Sequence, residues 1–166
     1  MSELVYLNGK LVLRRDAVIP ALDYGFLHGY GLFETLRAYN GHPFKLPEHL
    51  ERLARGGEYL GISIDTAELA RAVAATLEAN GLRQARLRIT VSAGEGGLTP
   101  DPAGCERPVT LVAAEQHHPY APEVYERGFR AITSATWQRD SRSPLSRLKT
   151  TSHLADMLAG SEARRA

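Results

Sequence analysis

An α+β fold is what this sequence predicts, from three observations. Residues 31–39 and 85–92 alternate apolar and polar side chains, the mark of strands with one buried face. Leu50, Leu53 and Ala54 form a stripe at helical spacing, and Leu69, Val73 and Leu77 recur every four residues. Asn-Gly pairs at 8–9 and 40–41 stand between apolar runs, a strong short-range signal for tight hairpins.

Taken in order, Val5–Leu7 and Leu11–Leu13 make the first hairpin. Residues 16–31, with Pro20, Gly25, Gly29 and Gly31, read as a loop holding at most one helical turn. The strand from Gly31 to Tyr39 puts Phe33, Thr35, Arg37 and Tyr39 on one face and Leu32, Glu34, Leu36 and Ala38 on the other. Asn40-Gly41 turns the chain into 43–46. Pro47 suits the first position of a helix that Gly61 ends. Asp65 with Glu68 resembles a capping box for the next helix, and Asn80-Gly81 stops it. Ala85, Leu87, Ile89 and Val91 then alternate with Arg86, Arg88, Thr90 and Ser92. Residues 94–108 form a Gly- and Pro-rich loop, and Val109–Ala114 a buried strand. His117-His118-Pro119-Tyr120-Ala121-Pro122 breaks all periodicity, so 1–118 is expected to be one α+β domain and 119–128 a linker. Beyond it, 128–136 is expected as a strand, 137–148 as irregular chain, and 152–165 as a helix.

Composition narrows the function. With 43% hydrophobic and 23% charged residues over 166 positions, the chain is an ordinary globular protein rather than a disordered one. No apolar run approaches the ~18 residues of a membrane span, and Met1–Tyr6 lacks the basic and apolar regions of a signal peptide. A lone Cys105 excludes an internal disulfide and fits a reducing cytoplasm, where we expect the protein to act. The histidines show no HExxH spacing, so no metal is expected. A net charge of +1 gives no bias toward nucleic acid. Among the 20 basic residues only Lys10, Lys45 and Lys149 are lysines; genomic composition is the commonest cause of such a bias, and a lysine that persists is a candidate for use as an amine rather than as a charge.

Four segments could carry chemistry. Lys149 lies in Leu148-Lys149-Thr150-Thr151-Ser152 at a loop-to-helix junction. An amine attacks a carbonyl only when unprotonated, so its pKa must fall, and burial or nearby cations achieve that. A solvated surface lysine is the bland alternative. Arg52, in His49-Leu50-Glu51-Arg52-Leu53, could offer its fork to a phosphate or pair with Glu48 on a wet helix face. Arg86, Arg88 and Thr90 could hold a carboxylate or simply line a solvated sheet face. Tyr24–Glu34 could wall a pocket, and it matches no phosphate-loop pattern.

Together, Gly31–Gly41, Pro47–Leu53, Leu87–Val91 and Leu148–Ser152 resemble, in residues and order, the class IV (fold-type IV) pyridoxal-phosphate aminotransferases. That group includes branched-chain and D-amino-acid transaminases and aminodeoxychorismate lyase. The resemblance implies pyridoxal 5'-phosphate as cofactor, held by Lys149 as a Schiff base and by Arg52 at its phosphate. It implies that Phe33 lines the substrate pocket and Arg88 lies near the substrate carboxylate. It further implies an amino acid and a 2-oxo acid as substrates, and a homodimer.

Departures refine the reading. The Arg-x-His trap of D-amino-acid transaminases is replaced by Gly97-Leu98-Thr99-Pro100, and their Tyr by Phe33. The tyrosines usual in branched-chain enzymes at His28 and just before Arg88 are missing. The lyase, which eliminates pyruvate from aminodeoxychorismate, remains open. Family members continue past the lysine to an acid at the pyridine nitrogen, and Asp156 and Glu162 do not match its pattern. We therefore expect 1–166 to be the N-terminal small domain plus the start of the larger C-terminal domain (129–166), inactive alone. A catalytically incomplete assembly or binding module is the remaining alternative.

Overall fold

A computed structural model describes residues 3–137 and 139–166. The first hairpin forms around Asn8-Gly9, with β1 (Leu4–Leu7) and β2 (Lys10–Leu13) paired antiparallel and Leu7 opposite Lys10. Asn8 and Gly9 both have positive φ, 46° and 90°, giving the turn whose twist suits two adjoining strands. The short α1 (Tyr24–His28) starts on Asp23, whose carboxylate accepts the Phe26 amide, and stops at Gly29 with φ 65°. β3 (Gly31–Tyr39) then turns through Asn40-Gly41 into β4 (His42–Pro43).

α2 (Leu46–Leu60) begins one residue before Pro47, because Lys45 takes the left-handed conformation and serves as its cap; Gly61 ends it as expected. α3 (Thr66–Ala79) opens with the Asp65 carboxylate accepting the Glu68 amide at 2.8 Å. β5 (Ala85–Ser92) buries Ala85, Leu87, Ile89 and Val91, as the alternation predicts. β6 (Val109–Gln116) runs two residues beyond the expected end, since Glu115 and Gln116 still find partners in Arg86 and Ala85.

The strands form one antiparallel sheet in the order β2-β1-β6-β5-β3-β4. α2 and α3 cover one face, and the core lies between: Leu32, Leu36, Leu87, Ile89, Val91 and Val112 from the sheet meet Leu50, Leu53, Leu69, Val73 and Leu77 from the helices. The chain packs tightly where Gly57 lies, for a Cβ there would stand 2.6 Å from the Ile62 carbonyl oxygen. Backbone cannot yield as a side chain can. Gly57→Ala is therefore expected to destabilise the fold by about 2 kcal/mol, within the usual cost of overpacking, read by denaturant unfolding. A midpoint equal to wild type would contradict this packing.

The second sheet face carries Phe33, Thr35 and Arg37 from β3, opposite Thr90, Arg88 and Arg86 from β5. No helix of the described residues is long and apolar enough to cross a membrane.

The 119–128 segment holds a short helix, α4 (Pro122–Arg127), started by Pro122 and closed by Gly128. One expectation needs correction. The 128–136 strand does not form. A strand needs an edge to satisfy its backbone groups, and no described segment pairs with this one as a strand. Phe129 and Ile132, its apolar residues, stay exposed. The described residues of 137–148 are irregular apart from a 3-10 turn at Pro144–Arg147, and the final helix, α5 (Leu154–Arg165), follows the sequence reading. None of the described residues after Ala114 is fully buried, and Leu148 packs, partly buried, against the core.

Candidate active site

Lys149 reaches the sheet by backbone pairing. β4 lies beside only the C-terminal end of β3, and the N-terminal end of that edge is taken by Lys149–Thr151. The Phe33 amide donates to the Lys149 carbonyl at 2.9 Å, the Thr151 amide donates to the Gly31 carbonyl at 2.9 Å, and Leu32 bridges Thr150. The Thr151 hydroxyl also donates to the Gly29 carbonyl. The small hydroxyl residues after the lysine thus help dock the chain as well as let it turn.

This docking sets the lysine amine against Phe33, with Nζ 4.2 Å from the ring centroid. The Arg88 guanidinium carbon lies 3.9 Å from the same centroid, and the His153 ring 4.5 Å from it. Nζ has no hydrogen-bond or ion-pair partner among the described residues. Partial burial pushes the Lys149 pKa below its ordinary value; Arg52 and Arg88 push the same way, while Glu34 and Asp156 oppose them. The amine is thereby moved toward the unprotonated form a nucleophile needs. That disfavours a merely solvated lysine.

Arg52 does not pair with Glu48, which lies 3.7 Å from Lys45 instead. Its Nε and Nη2 both donate to Glu34, each at 2.6 Å. Glu34 is fully buried, and its second oxygen also meets His49 Nδ1 at 2.7 Å. Burial alone would raise the Glu34 pKa, but hydrogen bonds from Arg52 and His49 hold it below the ordinary carboxylate value. Arg52 Nη1 has no partner among the described residues, and the side chain is about half exposed (49%). One corner of the guanidinium is therefore fixed and the other turned outward, as an anion clamp requires.

Lys149 and Arg88 both contact Phe33, and Arg52 acts on the lysine through its charge. Arg88 Nε donates to Thr90 Oγ1 at 3.2 Å, and burial with the neighbouring Arg86 lowers its pKa. A face with an amine and several guanidiniums suits a ligand bearing a carbonyl, a phosphate and a carboxylate. The two late acids are engaged elsewhere. Asp156 pairs with Arg139 and His153, while Glu162 accepts from Ala135, Ser134 and Thr136, which push its pKa down to about 2. No cluster of possible metal ligands occurs among the described residues.

The sequence reading missed Glu34 and His49. The signal was present for Glu34: a carboxylate on the apolar face of β3, between Leu32 and Leu36, must find partners if it is to stay charged.

A family model for amino-transferase class IV matches residues 31–166. The chain belongs to the class IV aminotransferase family. It is 41% identical over 131 residues to a Methanocaldococcus jannaschii protein provisionally named a branched-chain-amino-acid aminotransferase, covering 78% of this chain and 44% of that one. It is 31% identical over 163 residues to the aminodeoxychorismate lyase of Bacillus subtilis, covering 96% and 54%. The branched-chain amino acid aminotransferase of T.th., solved with pyridoxamine 5'-phosphate, superposes with a TM-score of 0.91 at 26% identity, covering 99% of this chain and 57% of that one. The chain thus spans about half the length of these relatives.

Proposed function

We propose that this chain is part of a pyridoxal-phosphate-dependent aminotransferase that moves an amino group between an amino acid and a 2-oxo acid. The observation that carries the reading is the Lys149 amine, with its lowered pKa, docked beside Phe33 and Arg88 at the edge of β3. The residues fit the cofactor. Lys149 would hold its aldehyde carbon, and the outward corner of Arg52 would hold its phosphate. When bound, the cofactor supplies an electron sink for the substrate's Cα.

The chain's own residues do the rest. Lys149 Nζ would take the proton from the substrate's Cα and deliver it to the cofactor's aldehyde carbon, which requires the amine to be unprotonated near neutral pH. Phe33 forms an apolar wall beside that amine and keeps water from it. Arg88, stacked on Phe33 and tethered to Thr90, binds the substrate carboxylate. Arg88→Ala is expected to raise KM for the amino acid by about 10- to 100-fold, the loss of one charged hydrogen bond, with kcat less affected. An unchanged KM in steady-state assays would remove Arg88 from this role.

In this reading residues 1–118 are the small domain, 119–128 the linker and 129–166 the opening of a larger cofactor-binding domain. The 1–166 stretch alone would be inactive, and the whole enzyme would work in the cytoplasm as a homodimer. The aminodeoxychorismate lyase activity is a second reading, favoured by the 31% identity to the Bacillus subtilis lyase over nearly the whole chain. Assays of the protein expressed from its complete coding sequence, with amino-acid/2-oxo-acid pairs and separately with aminodeoxychorismate, decide between them. Either activity persisting in Lys149→Ala would overturn the role of this lysine, and neither activity together with no uptake of pyridoxal phosphate would overturn both readings and leave a binding or assembly module. A monomer by light scattering would overturn the dimer.

A further inference from the structure

Glu34 has a property that the aminotransferase reading leaves unused. It is a carboxylate at 0% exposure on the apolar face of β3, and its side-chain partners come from one helix. Oε1 accepts Arg52 Nε at 2.6 Å, and Oε2 takes Arg52 Nη2 at 2.6 Å and His49 Nδ1 at 2.7 Å. Its neighbour along β3 is Phe33, whose ring contacts Lys149. A buried ion pair is a poor source of stability, since an apolar pair of similar volume often does as well or better. Arg52 is half exposed and would be solvated without it. The geometry is better explained by placement: two parallel donors fix the guanidinium plane, a constraint no single hydrogen bond imposes.

Resting on the function proposed above, we infer that Glu34 is a positioning residue for the site: it locks the Arg52 fork so that Nη1 is presented to the cofactor phosphate. Free arginine side chains lose several rotamers on binding an anion. An arginine already held on two nitrogens loses few, so its affinity for phosphate rises. The charged groups that act on Lys149 are Glu34 and Asp156, which favour its ammonium form, and Arg52 and Arg88, which oppose it. Around Glu34 the charged or titratable groups are Arg52, His49 and Lys149. Removing the Glu34 charge therefore strips Lys149 of a stabilising anion, and its pKa falls further.

The test uses the protein expressed from its complete coding sequence, with pyridoxal phosphate as the probe. Glu34→Gln keeps the shape and removes the charge; its amide group also turns a donor toward the guanidinium. Glu34→Asp keeps the charge and shortens the reach. The dissociation constant for pyridoxal phosphate is expected to rise about tenfold in both variants, as one well-placed charged contact is lost. In the apo-protein, the Lys149 pKa, followed by NMR after reductive methylation with carbon-13 and assigned with Lys149→Arg, is expected to fall in Glu34→Gln and to hold in Glu34→Asp. Should Glu34→Gln fail to fold, Glu34→Asp decides by affinity. Affinities within twofold of wild type, or a Lys149 pKa that does not fall in Glu34→Gln, overturn this role even if thermal stability drops, because a merely structural residue would behave so. Wild type that takes up no pyridoxal phosphate overturns the proposed function and this inference together; wild type that binds it no more tightly than the variants overturns this inference alone.

Discussion

Lys149→Ala is expected to abolish turnover while leaving the fold intact. The side chain makes no hydrogen bond or ion pair among the described residues, and the contacts that dock this segment are made by backbone. The Lys149 carbonyl accepts from Phe33, and Thr151 pairs with Gly31, whichever side chain stands at 149. Stability should therefore change little, as for an ordinary non-core substitution. Activity is another matter. On the proposed function, losing a positioned proton carrier would cost roughly 10²–10⁴-fold, and loss of the cofactor's covalent anchor would add to it. Single-turnover assays with an amino donor measure the chemical step directly, and a small exogenous amine should restore part of the rate. Lys149→Arg should be as inactive as the alanine variant, because a guanidinium keeps the charge but cannot be deprotonated in a protein. A variant retaining more than about a tenth of wild-type rate would take Lys149 out of the mechanism, since that is less than the smallest effect expected of such a group.

Arg52→Ala is expected to weaken cofactor binding and, unlike Lys149→Ala, to destabilise the fold. It leaves Glu34 fully buried with His49 as its remaining hydrogen-bond partner. Breaking a buried pair typically costs several kcal/mol; with Arg52 itself half exposed we expect about 3 kcal/mol at pH 7, near the low end of that range. The pH dependence gives the sign. In wild type the folded Glu34 pKa lies below the ordinary value. Its contribution is therefore present above the unfolded carboxylate pKa of about 4.3 and lost as pH falls through the lower folded value. Without Arg52, burial dominates and the folded pKa moves above the unfolded one. The variant is then penalised above about 4.3 and relieved below it. The gap in melting temperature between wild type and Arg52→Ala should be widest near pH 7 and narrow as pH approaches 4. A gap that is constant with pH would show that the carboxylate does not feel the arginine as this geometry requires.

The sheet and its two helices were legible in the sequence because their signals are local. Alternation in 31–39 and 85–92, four-residue spacing in 69–77 and the Asn-Gly turns each depend on neighbours a few residues apart, and each formed within a residue or two of the expected bounds. The exception shows the limit. The 128–136 segment has strand-forming residues, but a strand also needs an edge to pair with, and no described segment supplies one. Local preference cannot choose a partner far away in the chain.

The same limit applies to the site. The sequence by itself singled out Lys149, Arg52 and Arg88, added Phe33 through a resemblance, and placed Glu34 among leucines without showing what would neutralise it. Which carboxylate Arg52 would meet was undecidable there, since Glu48 is four residues away on the helix and Glu34 is on another element. Only the tertiary structure decided for Glu34, because docking α2 on β3 seals that carboxylate from water and its burial demands the guanidinium. Likewise, only the pairing of Lys149–Thr151 with the open end of β3 turned a lysine far along the chain from Phe33 into its neighbour, and it is the resulting loss of solvent that moves the amine toward its reactive form.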